Sequence, residues 1–279
     1  MRWIRERLPT ALKNRLRHSV LCVRRRAPYA NIFHCCVQKT ASSWIRTILK
    51  DPRVFRYSGL DVQGPGSMID GSSLRSQRVA GVFPLRKIIS PLYVSYEGYG
   101  SFAKPGAHRT FFVMRDPRDI TVSWYYSARE SHPVAGNPPL QEARRALEGL
   151  GLAEGLHYSI DYLAEYGLYD ALLPWKAAAE AHPATIKLVR YEDLSGASQI
   201  ESFETLFLHC GIAMPRRVLV PLLADWSFEK MAHETGKNGL ARGHYRKGLR
   251  GDWLNHFDQG HRAHFSSITK DLISRLGYS

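Results

Sequence analysis

Residues 31–47 restrict the fold of this chain most, because a strand pattern changes there to a helix pattern within a few residues. Residues 32–37 are apolar and rich in β-branched and aromatic side chains, as in a buried strand. Trp44, Ile45 and Ile48 then recur at helical spacing. The sequence therefore predicts a strand, a tight loop and a helix, with the loop at the carboxyl end of the strand, where open α/β sheets bind ligands.

The predicted loop combines groups that bind an anion. The helix that follows directs its free N–H groups and the positive end of its dipole toward the loop. Lys39 adds a positive charge, and Thr40, Ser42 and Ser43 add hydroxyl donors. This combination suits phosphate or sulfate. A Walker A loop is excluded because residues 31–50 contain no glycine, and a lysine that precedes a helix by chance remains the alternative.

Two further units repeat the order of strand, charged loop and helix. Residues 110–114 form a buried-strand pattern that ends at Arg115, and Ser123 lies in the first turns of the next predicted helix. Residues 185–189 form another, followed by residues 190–194. Alternating strands and helices predict an α/β fold with a central parallel sheet flanked by helices. We expect a single domain over residues 27–279, preceded by a basic segment.

Weaker patterns complete the predicted organisation. A mobile surface loop is predicted at residues 57–73, and a short strand ended by Pro91 at residues 87–90. Two helices are predicted at residues 161–181 and 199–210. A basic glycine-rich lid is predicted at residues 236–251, followed by a C-terminal helical region at residues 253–276. Tyr93, Tyr96, Tyr99 and Phe102 form an aromatic cluster that could line an acceptor pocket or pack in the core.

Charge and cysteine usage limit the class of protein. Residues 1–26 hold nine Lys or Arg and one acidic residue, and thus carry +8 of the net charge of +14. This segment contains no apolar stretch of signal-peptide or membrane-spanning length, so a solvated basic helix is expected, with contact to a membrane surface as the alternative. Four cysteines without metal-ligand spacing are typical of a reducing compartment, and a cytoplasmic protein is expected.

Several motifs, in one order, resemble those of the sulfotransferases that use 3′-phosphoadenosine 5′-phosphosulfate (PAPS). Residues 38–44 resemble the family's Pro-Lys-Ser/Thr-Gly-Thr-Thr-Trp loop, with glutamine and alanine in place of proline and glycine. Residues 115–126 match its 3′-phosphate motif, and residues 190–194 resemble its Tyr-Glu-Asp segment. Residues 246–257 resemble its Arg-Lys-Gly-x-x-Gly-Asp-Trp lid, and residues 226–228 match a weaker element. The resemblance implies a P-loop-NTPase-like sulfotransferase architecture and transfer of a sulfuryl group to a hydroxyl acceptor, without a metal.

The resemblance also implies site residues. The phosphosulfate end of the donor would be held by Lys39, Thr40, Ala41, Ser42 and Ser43, with Lys39 also stabilising charge on the leaving phosphate. Adenine would contact Trp44, Tyr191 and Phe228. The 3′-phosphate would contact Arg115, Ser123, Arg246, Lys247 and Gly248.

The chain departs from the family at the general base. The cytosolic branch has a histidine just past its second strand, whereas no histidine lies between Thr47 and Ala107 here. Glu97 is the first candidate, because neighbouring aromatic side chains could raise its pKa. Asp51, Asp61 and His108 are the alternatives. The family's C-terminal dimer motif is not visible either, so the oligomeric state stays open.

Two other classes of function are alternatives. A kinase-like phosphotransferase would need a Walker-type glycine loop and a metal-binding carboxylate, and neither is evident in the sequence. A non-enzymatic protein that binds polyanions or membranes would use the basic residues 1–26 and would not depend on Lys39. The prediction is therefore an enzyme with PAPS as sulfuryl donor and an acceptor that is apolar or extended, rather than a nucleic acid.

Overall fold

A computed structural model describes residues 26–104, 106–131, 137–227, 230–231 and 250–279. Its strands are β1 (Asn31–Cys36), β2 (Asp61–Gln63), β3 (Ile69–Asp70), β4 (Arg78–Val79), β5 (Lys87–Tyr93), β6 (His108–Met114) and β7 (Ile186–Arg190). Its α-helices are α1 (Ser42–Leu49), α2 (Pro52–Ser58), α3 (Tyr96–Gly100), α4 (Pro117–Tyr126), α5 (Pro138–Glu148), α6 (Leu152–Glu165), α7 (Leu172–Ala181), α8 (Tyr191–Leu194), α9 (Gln199–His209), α10 (Arg216–Asp225), α11 (Gln259–Thr269) and α12 (Leu272–Leu276).

A five-stranded parallel sheet organises the fold, with strand order β2-β5-β1-β6-β7. Strand β1 is central and fully buried, which explains its continuous apolar sequence. Because β5 and β6 lie on opposite sides of β1, the connections that follow them diverge at the carboxyl edge. The loop after β1 therefore lies at the point where an open α/β sheet leaves a crevice for a ligand.

The sheet separates two hydrophobic cores. Alternate residues of each strand point to opposite faces. Phe33 and Phe112 pack in one core with helices α4, α6 and α7, whereas Ile32 and Phe111 pack in the other with α1, α2, α9 and α10. Every helix that leads into or out of the site is thus fixed to the sheet by its apolar face. The predicted α/β class with a central parallel sheet is confirmed.

Two predictions about the first half of the chain are wrong. Residues 57–73 are not one open loop, because they contain β2, an edge strand of the main sheet, and β3, which forms a small antiparallel ribbon with β4. Pro91 does not end β5. The register with β1 shifts at this point, where β5 has one extra residue, so proline occupies a bulge that needs no ladder N–H.

The helix predicted over residues 161–181 is two helices, α6 and α7, separated at Gly167. Gly167 has a φ of +81°, a left-handed conformation that ends the first helix. Tyr162 therefore belongs to α6, whereas Tyr169 lies in the turn that follows it. The region 253–276 is likewise divided, into a 3₁₀ turn at Asp252–Asn255, α11 and α12.

Two predicted segments lie largely outside the described residues: the basic segment 1–26, of which Arg26 is described, and the lid 236–251, of which Arg250 and Gly251 are described. The division at residue 26 into a basic segment and a domain over residues 27–279 stays a prediction. None of the helices in the described part of the chain has the length and apolarity to cross a membrane.

Candidate functional site

The loop between β1 and α1 has an unusual backbone conformation. Lys39 and Ala41 have φ values of +66° and +61°, both in the left-handed region. This costs an L-residue with a Cβ roughly 1–2 kcal/mol, which explains why glycine suits the position of Ala41. Ala41 is also the N-cap of α1 and supplies no side-chain cap. The first N–H groups of α1 are therefore available to an anion.

Lys39 follows the carboxyl end of the central strand. Protein atoms surround its ammonium group, although part of the side chain is accessible to solvent. Burial, with a smaller effect of the positive charge of Arg115, lowers the pKa of Lys39 to about 8. Burial removes water from the ammonium group, and the nearby positive charge of Arg115 adds to the cost of keeping it charged. The site is therefore prepared to gain binding energy from a negatively charged ligand.

The hydroxyl groups of the loop differ in their surroundings. Thr40 is fully buried and donates to the Val37 carbonyl at 2.9 Å, so its side chain holds the turn together. Ser42 is buried and its Oγ is 2.6 Å from the hydroxyl of Tyr93, at the end of β5. Ser43 is exposed. The predicted role of Thr40 toward a ligand would therefore fall mainly to its backbone.

Arg115 connects the end of β6 to the loop after β1. Its Nη1 donates to the Lys39 carbonyl at 3.1 Å, and its guanidinium lies 4.5 Å from the ring centre of Tyr191. Arg115 is only 9% exposed and Tyr191 only 3%. The structure thus joins the tips of β1, β6 and β7, which the sequence predicted to act together. Ser123 is half-buried in α4, two turns beyond Arg115.

Asp119 ties the segment that follows the predicted lid to α4. Its carboxylate accepts hydrogen bonds from the N–H groups of Gly251, at 2.7 Å, and Trp253, at 2.9 Å. The Trp253 ring also lies 3.6 Å from the guanidinium of Arg118. Burial raises the pKa of Asp119, while Arg115 and the two N–H groups act in the opposite direction. Asp119 therefore has a structural role, because it anchors Gly251 and Trp253 to α4.

If the predicted donor is PAPS, replacing Asp119 by asparagine is expected to weaken binding of its desulfated form, adenosine 3′,5′-bisphosphate (PAP), and to lower the free energy of unfolding by about 2 kcal/mol. Asparagine keeps one acceptor but presents an NH₂ group to the second N–H, so one charged hydrogen bond is lost. Residues 246–248, which are predicted to contact the 3′-phosphate, immediately precede this anchor in the sequence. A weaker anchor should therefore weaken those contacts. Calorimetry and chemical denaturation measure both effects. Exposed Asp193 gives the control variant Asp193→Asn, and equal behaviour of the two variants would contradict the anchoring role.

Trp44 is surrounded as a core residue is. It is 4% exposed, its ring meets Phe203 edge-on at 5.7 Å, and its Nε1 donates to the Trp226 carbonyl at 2.7 Å. Its predicted contact with adenine stays a prediction. Four other predicted donor contacts, Phe228, Arg246, Lys247 and Gly248, lie outside the described residues.

A cavity of about 570 Å³ opens beside Lys39. One wall is aromatic, because Trp124 stacks on Tyr162 at 4.5 Å and Tyr162 is parallel to Tyr166 at 6.5 Å. Gln38 also lines the cavity and its Nε2 donates to the Tyr166 hydroxyl. The volume suits a small organic ligand. The aromatic wall comes from α4 and α6, which the sequence interpretation missed; the i, i+4 spacing of Tyr162 and Tyr166 was the available signal.

The aromatic cluster that was predicted as a pocket wall lies elsewhere. Tyr99 and Phe102 are 5% exposed and pack around Phe33 in the core. Tyr93 reaches the loop after β1 through Ser42. The core interpretation of this cluster is thus confirmed for Tyr99 and Phe102, because the residues following β5 fold back against the sheet.

The carboxylate and imidazole candidates for a general base occupy different edges of the molecule. Asp61 and His108 begin β2 and β6 and lie in the same row of the parallel sheet as Asn31, at the amino edge opposite the loop. Asp51 caps α2 and holds Arg53 with both carboxylate oxygens. Glu97 has an 82% exposed side chain, and its carboxylate is 3.9 Å from Arg78.

No finding tests the assignment of Glu97, which stays a prediction. Its surroundings are nevertheless not the apolar ones that the sequence interpretation assumed. Glu97 is not among the described residues that line the cavity beside Lys39. The acidic residue that does line it is Asp70, on the ribbon strand β3. No local pattern distinguishes Asp70, because the ribbon lies within a glycine-rich stretch that was interpreted as a surface loop.

Comparison with known proteins identifies relatives of this arrangement. A family model described as "Sulfotransferase domain" matches residues 101–277, which include Arg115, Ser123 and Tyr191 but not the loop at Lys39. No curated protein matches the sequence. Among solved structures, mouse sulfotransferase SULT7A1 complexed with PAP is 17% identical, with a TM-score of 0.58 over 91% of this chain and 89% of that chain.

Retinol dehydratase, crystallised with retinol and PAP, is 15% identical, with a TM-score of 0.52 over 93% of this chain and 85% of that chain. A second structure of that protein, with androsterone and PAP, has a TM-score of 0.50 at 15% identity and covers 93% of this chain and 84% of that chain. At these identities the solved structures show a shared fold, whereas the family model covers more than half of the chain.

Proposed function

The chain belongs to the sulfotransferase domain family, and from this premise we propose how its residues transfer a sulfuryl group from PAPS to an acceptor hydroxyl. Adenosine 3′,5′-bisphosphate (PAP) is then the second product. A kinase-like phosphotransferase is not favoured, because family membership and the absence of a Walker loop both oppose it.

The described residues fit such a donor. Two left-handed residues turn the loop so that an uncapped helix N-terminus, a lysine and a buried arginine meet at one edge of the sheet. PAPS, when bound, supplies an activated sulfuryl group next to a phosphate leaving group. We propose that Lys39 and the N–H groups of Thr40, Ala41, Ser42 and Ser43 hold the phosphosulfate end. Arg115 and Ser123 hold the 3′-phosphate, and Tyr191 approaches the nucleotide.

The observation that carries this proposal is the pairing of Lys39 with Arg115. Arg115 donates to the Lys39 carbonyl, and burial together with a smaller effect of the Arg115 charge lowers the pKa of Lys39 to about 8, so an anion that enters stabilises both positive charges. A donor with phosphate groups at both ends of a nucleoside can place one anionic group at each of the two cations. Lys39 then neutralises charge that develops on the leaving phosphate, which is the main source of acceleration in this type of transfer.

Binding of PAP is expected to take up protons at pH 9. Free Lys39, with a pKa of about 8, is then mostly neutral, and the phosphates raise its pKa and recharge it. Affinity should therefore fall as pH rises above 8, by up to about tenfold per pH unit. Below pH 8 Lys39 is already charged and uptake should vanish. Calorimetry in buffers of different ionisation enthalpy measures the protons directly.

The matched control is Lys39→Arg, which keeps the positive charge but stays protonated at every accessible pH. This variant should bind PAP without proton uptake at pH 9. Equal uptake by the variant and the wild type would show that another group titrates, and it would remove Lys39 from the phosphate contact.

A direct test of the function uses PAP and PAPS with the whole protein. PAP should release heat in calorimetry and raise the melting temperature. ³⁵S-labelled PAPS should transfer its label to hydroxyl compounds that enter the cavity beside Lys39. If PAP produced neither heat nor a shift in melting temperature, the proposed function would be wrong.

Other features remain predictions within this proposal. We propose that the acceptor is an apolar or extended hydroxyl compound, that no metal takes part, and that the enzyme acts in the cytoplasm. Contact with a membrane surface through the basic residues 1–26 is also a prediction. Deleting residues 1–26 and measuring sedimentation with anionic vesicles would test that contact separately from catalysis.

A further inference from the structure

Transfer to a hydroxyl group releases a proton, and a side chain near the acceptor must receive it. A general base must come within hydrogen-bond reach of the acceptor oxygen. The acceptor oxygen in turn must face the sulfuryl group, beside Lys39. The base is therefore expected among the residues that line the cavity next to Lys39, an expectation that rests on the proposed function.

Asp70 is the acidic residue among the described residues lining this cavity. Its Oδ1 accepts the N–H of Gly71 at 2.8 Å, an interaction that leaves Oδ2 for other partners. Its cross-strand neighbour Arg78 lies beside Glu97, at 3.9 Å, rather than neutralising Asp70. The Asp70 carboxylate thus lies at the cavity with Oδ1 engaged by the Gly71 N–H, while Arg78 is directed toward Glu97.

The turn after Asp70 is held in a defined position. Gly71 has a φ of +109°, and a Cβ at this position would lie 2.8 Å from the Ser76 carbonyl, so only glycine fits the turn. Leu74 N–H donates to the Tyr166 carbonyl at 3.0 Å, and Arg75 binds Asp170. These contacts attach the ribbon to the end of α6, which also carries the aromatic wall. Asp70 is therefore positioned relative to the cavity by the same helix that shapes it.

The other candidates lack this placement. Asp61 and His108 lie at the amino edge of the sheet, and Asp51 is engaged with Arg53. Glu97 has an 82% exposed side chain and does not line the cavity, as far as the described residues define it. An ordinary exposed aspartate is sufficient for the task. In protein kinases, whose transition state is also loose, an aspartate accepts the proton of the attacking hydroxyl.

We propose that Asp70 is the general base, and that the acceptor hydroxyl binds in the cavity between Asp70 and Lys39. In this step the acceptor oxygen forms its bond to sulfur while the bond between sulfur and the phosphate oxygen breaks. The hydroxyl proton passes to the Asp70 carboxylate and then to water, and the electron pair of the broken bond stays on the phosphate of PAP, next to Lys39.

The test compares Asp70→Asn with Glu97→Gln in transfer of ³⁵S from PAPS to phenol, 4-nitrophenol, cyclohexanol and a neutral sterol alcohol. Asp70→Asn should lower kcat on the un-ionised acceptors by about 10²-fold or more. The loss should be much smaller on 4-nitrophenol at pH 8, which is largely ionised and needs no base. Calorimetric affinity for PAP and the free energy of unfolding should be unchanged, and Asp70→Glu should restore part of the rate.

Wild-type turnover by Asp70→Asn, or an equal loss on ionised and un-ionised acceptors, would overturn the proposal. A selective loss in Glu97→Gln instead would return the role to Glu97. If PAP binds but none of these acceptors receives label from the wild type, the cavity is not the acceptor site and the assignment of Asp70 fails, while the donor site stands. If PAP does not bind, the proposed function itself fails.

Discussion

Replacing Lys39 by alanine is expected to reduce kcat for sulfuryl transfer by at least about 10²–10³-fold, the cost of removing one preorganised group that stabilises developing charge. Negative charge grows on the phosphate oxygen as its bond to sulfur breaks, and without Lys39 this charge meets mainly the backbone N–H groups of the loop. The ground-state donor PAPS carries less charge at that oxygen, so affinity for PAPS should change less than kcat, whereas PAP carries the full charge there and should lose affinity as well. Single-turnover measurements with ³⁵S-labelled PAPS separate the two.

The control for this experiment lies on the same helix. Lys50→Ala removes the same charge at the exposed far end of α1, beyond the reach of the donor site, and should leave turnover unchanged. Lys39→Arg is a second comparison: it keeps the charge, but its planar group does not reproduce the compact ammonium, so only part of the rate should return. Unaltered kcat in Lys39→Ala would remove Lys39 from the chemical step.

The predictable part of this fold consists of the strands with apolar sequences. Strands β1 and β6 were located to within two residues, since burial on both faces requires a continuous apolar run that the sequence displays directly. Strand β7 lies at an edge of the sheet and is only partly buried, but its own apolar run located it to within one residue. Strand β2 was missed because it is a short edge strand of three half-buried residues, Asp61–Gln63, and its partner contacts are decided by the sheet rather than by its own sequence. Local sequence patterns therefore fail to predict a strand whose stability comes from pairing with its neighbour in the sheet.

The same distinction holds in the candidate site. Groups at strand tips, such as Lys39 and Arg115, could be predicted to converge because the carboxyl ends of parallel strands share one edge. Groups that reach the site from inserted elements could not. Asp70 is brought to the cavity by a two-residue ribbon, and Tyr166 by the end of α6 just before Gly167. Spacing can place Tyr162 and Tyr166 on one face of a helix, but which cavity that face lines depends on long-range packing.

Burial also redirected one assignment made from the sequence. The aromatic residues after β5 were expected to surround Glu97 and to raise its pKa, but Tyr99 and Phe102 turn into the core while Glu97 faces solvent. Adjacent residues of a short helix point in different directions, so sequence proximity to aromatic residues does not imply a desolvated carboxylate. A prediction about a pKa therefore requires the direction of a side chain as well as its neighbours in sequence.

Replacing Arg115 by alanine is expected to weaken PAP binding by about 10–100-fold while leaving binding of adenosine 5′-monophosphate nearly unchanged. A charged hydrogen bond to the 3′-phosphate contributes roughly 1.5–3 kcal/mol, and adenosine 5′-monophosphate lacks that phosphate. The control Arg109→Ala removes the same charge at the amino-terminal part of β6, where Arg109 stacks on Tyr29 far from the loop. Arg115→Lys should recover little, because a point charge replaces a two-pronged donor.

Replacing Arg115 by alanine should also change the proton uptake that accompanies PAP binding. The charge of Arg115 helps to depress the pKa of Lys39, so its removal should raise that pKa and reduce the proton uptake on PAP binding at pH 9. A variant that was merely misfolded would lose affinity for both nucleotides together and would show no ordered change in proton uptake. Equal losses for PAP and adenosine 5′-monophosphate would place Arg115 away from the 3′-phosphate. Selective loss together with reduced uptake would show that the two cations act on one ligand, as the 3.1 Å contact between Arg115 and the Lys39 carbonyl implies.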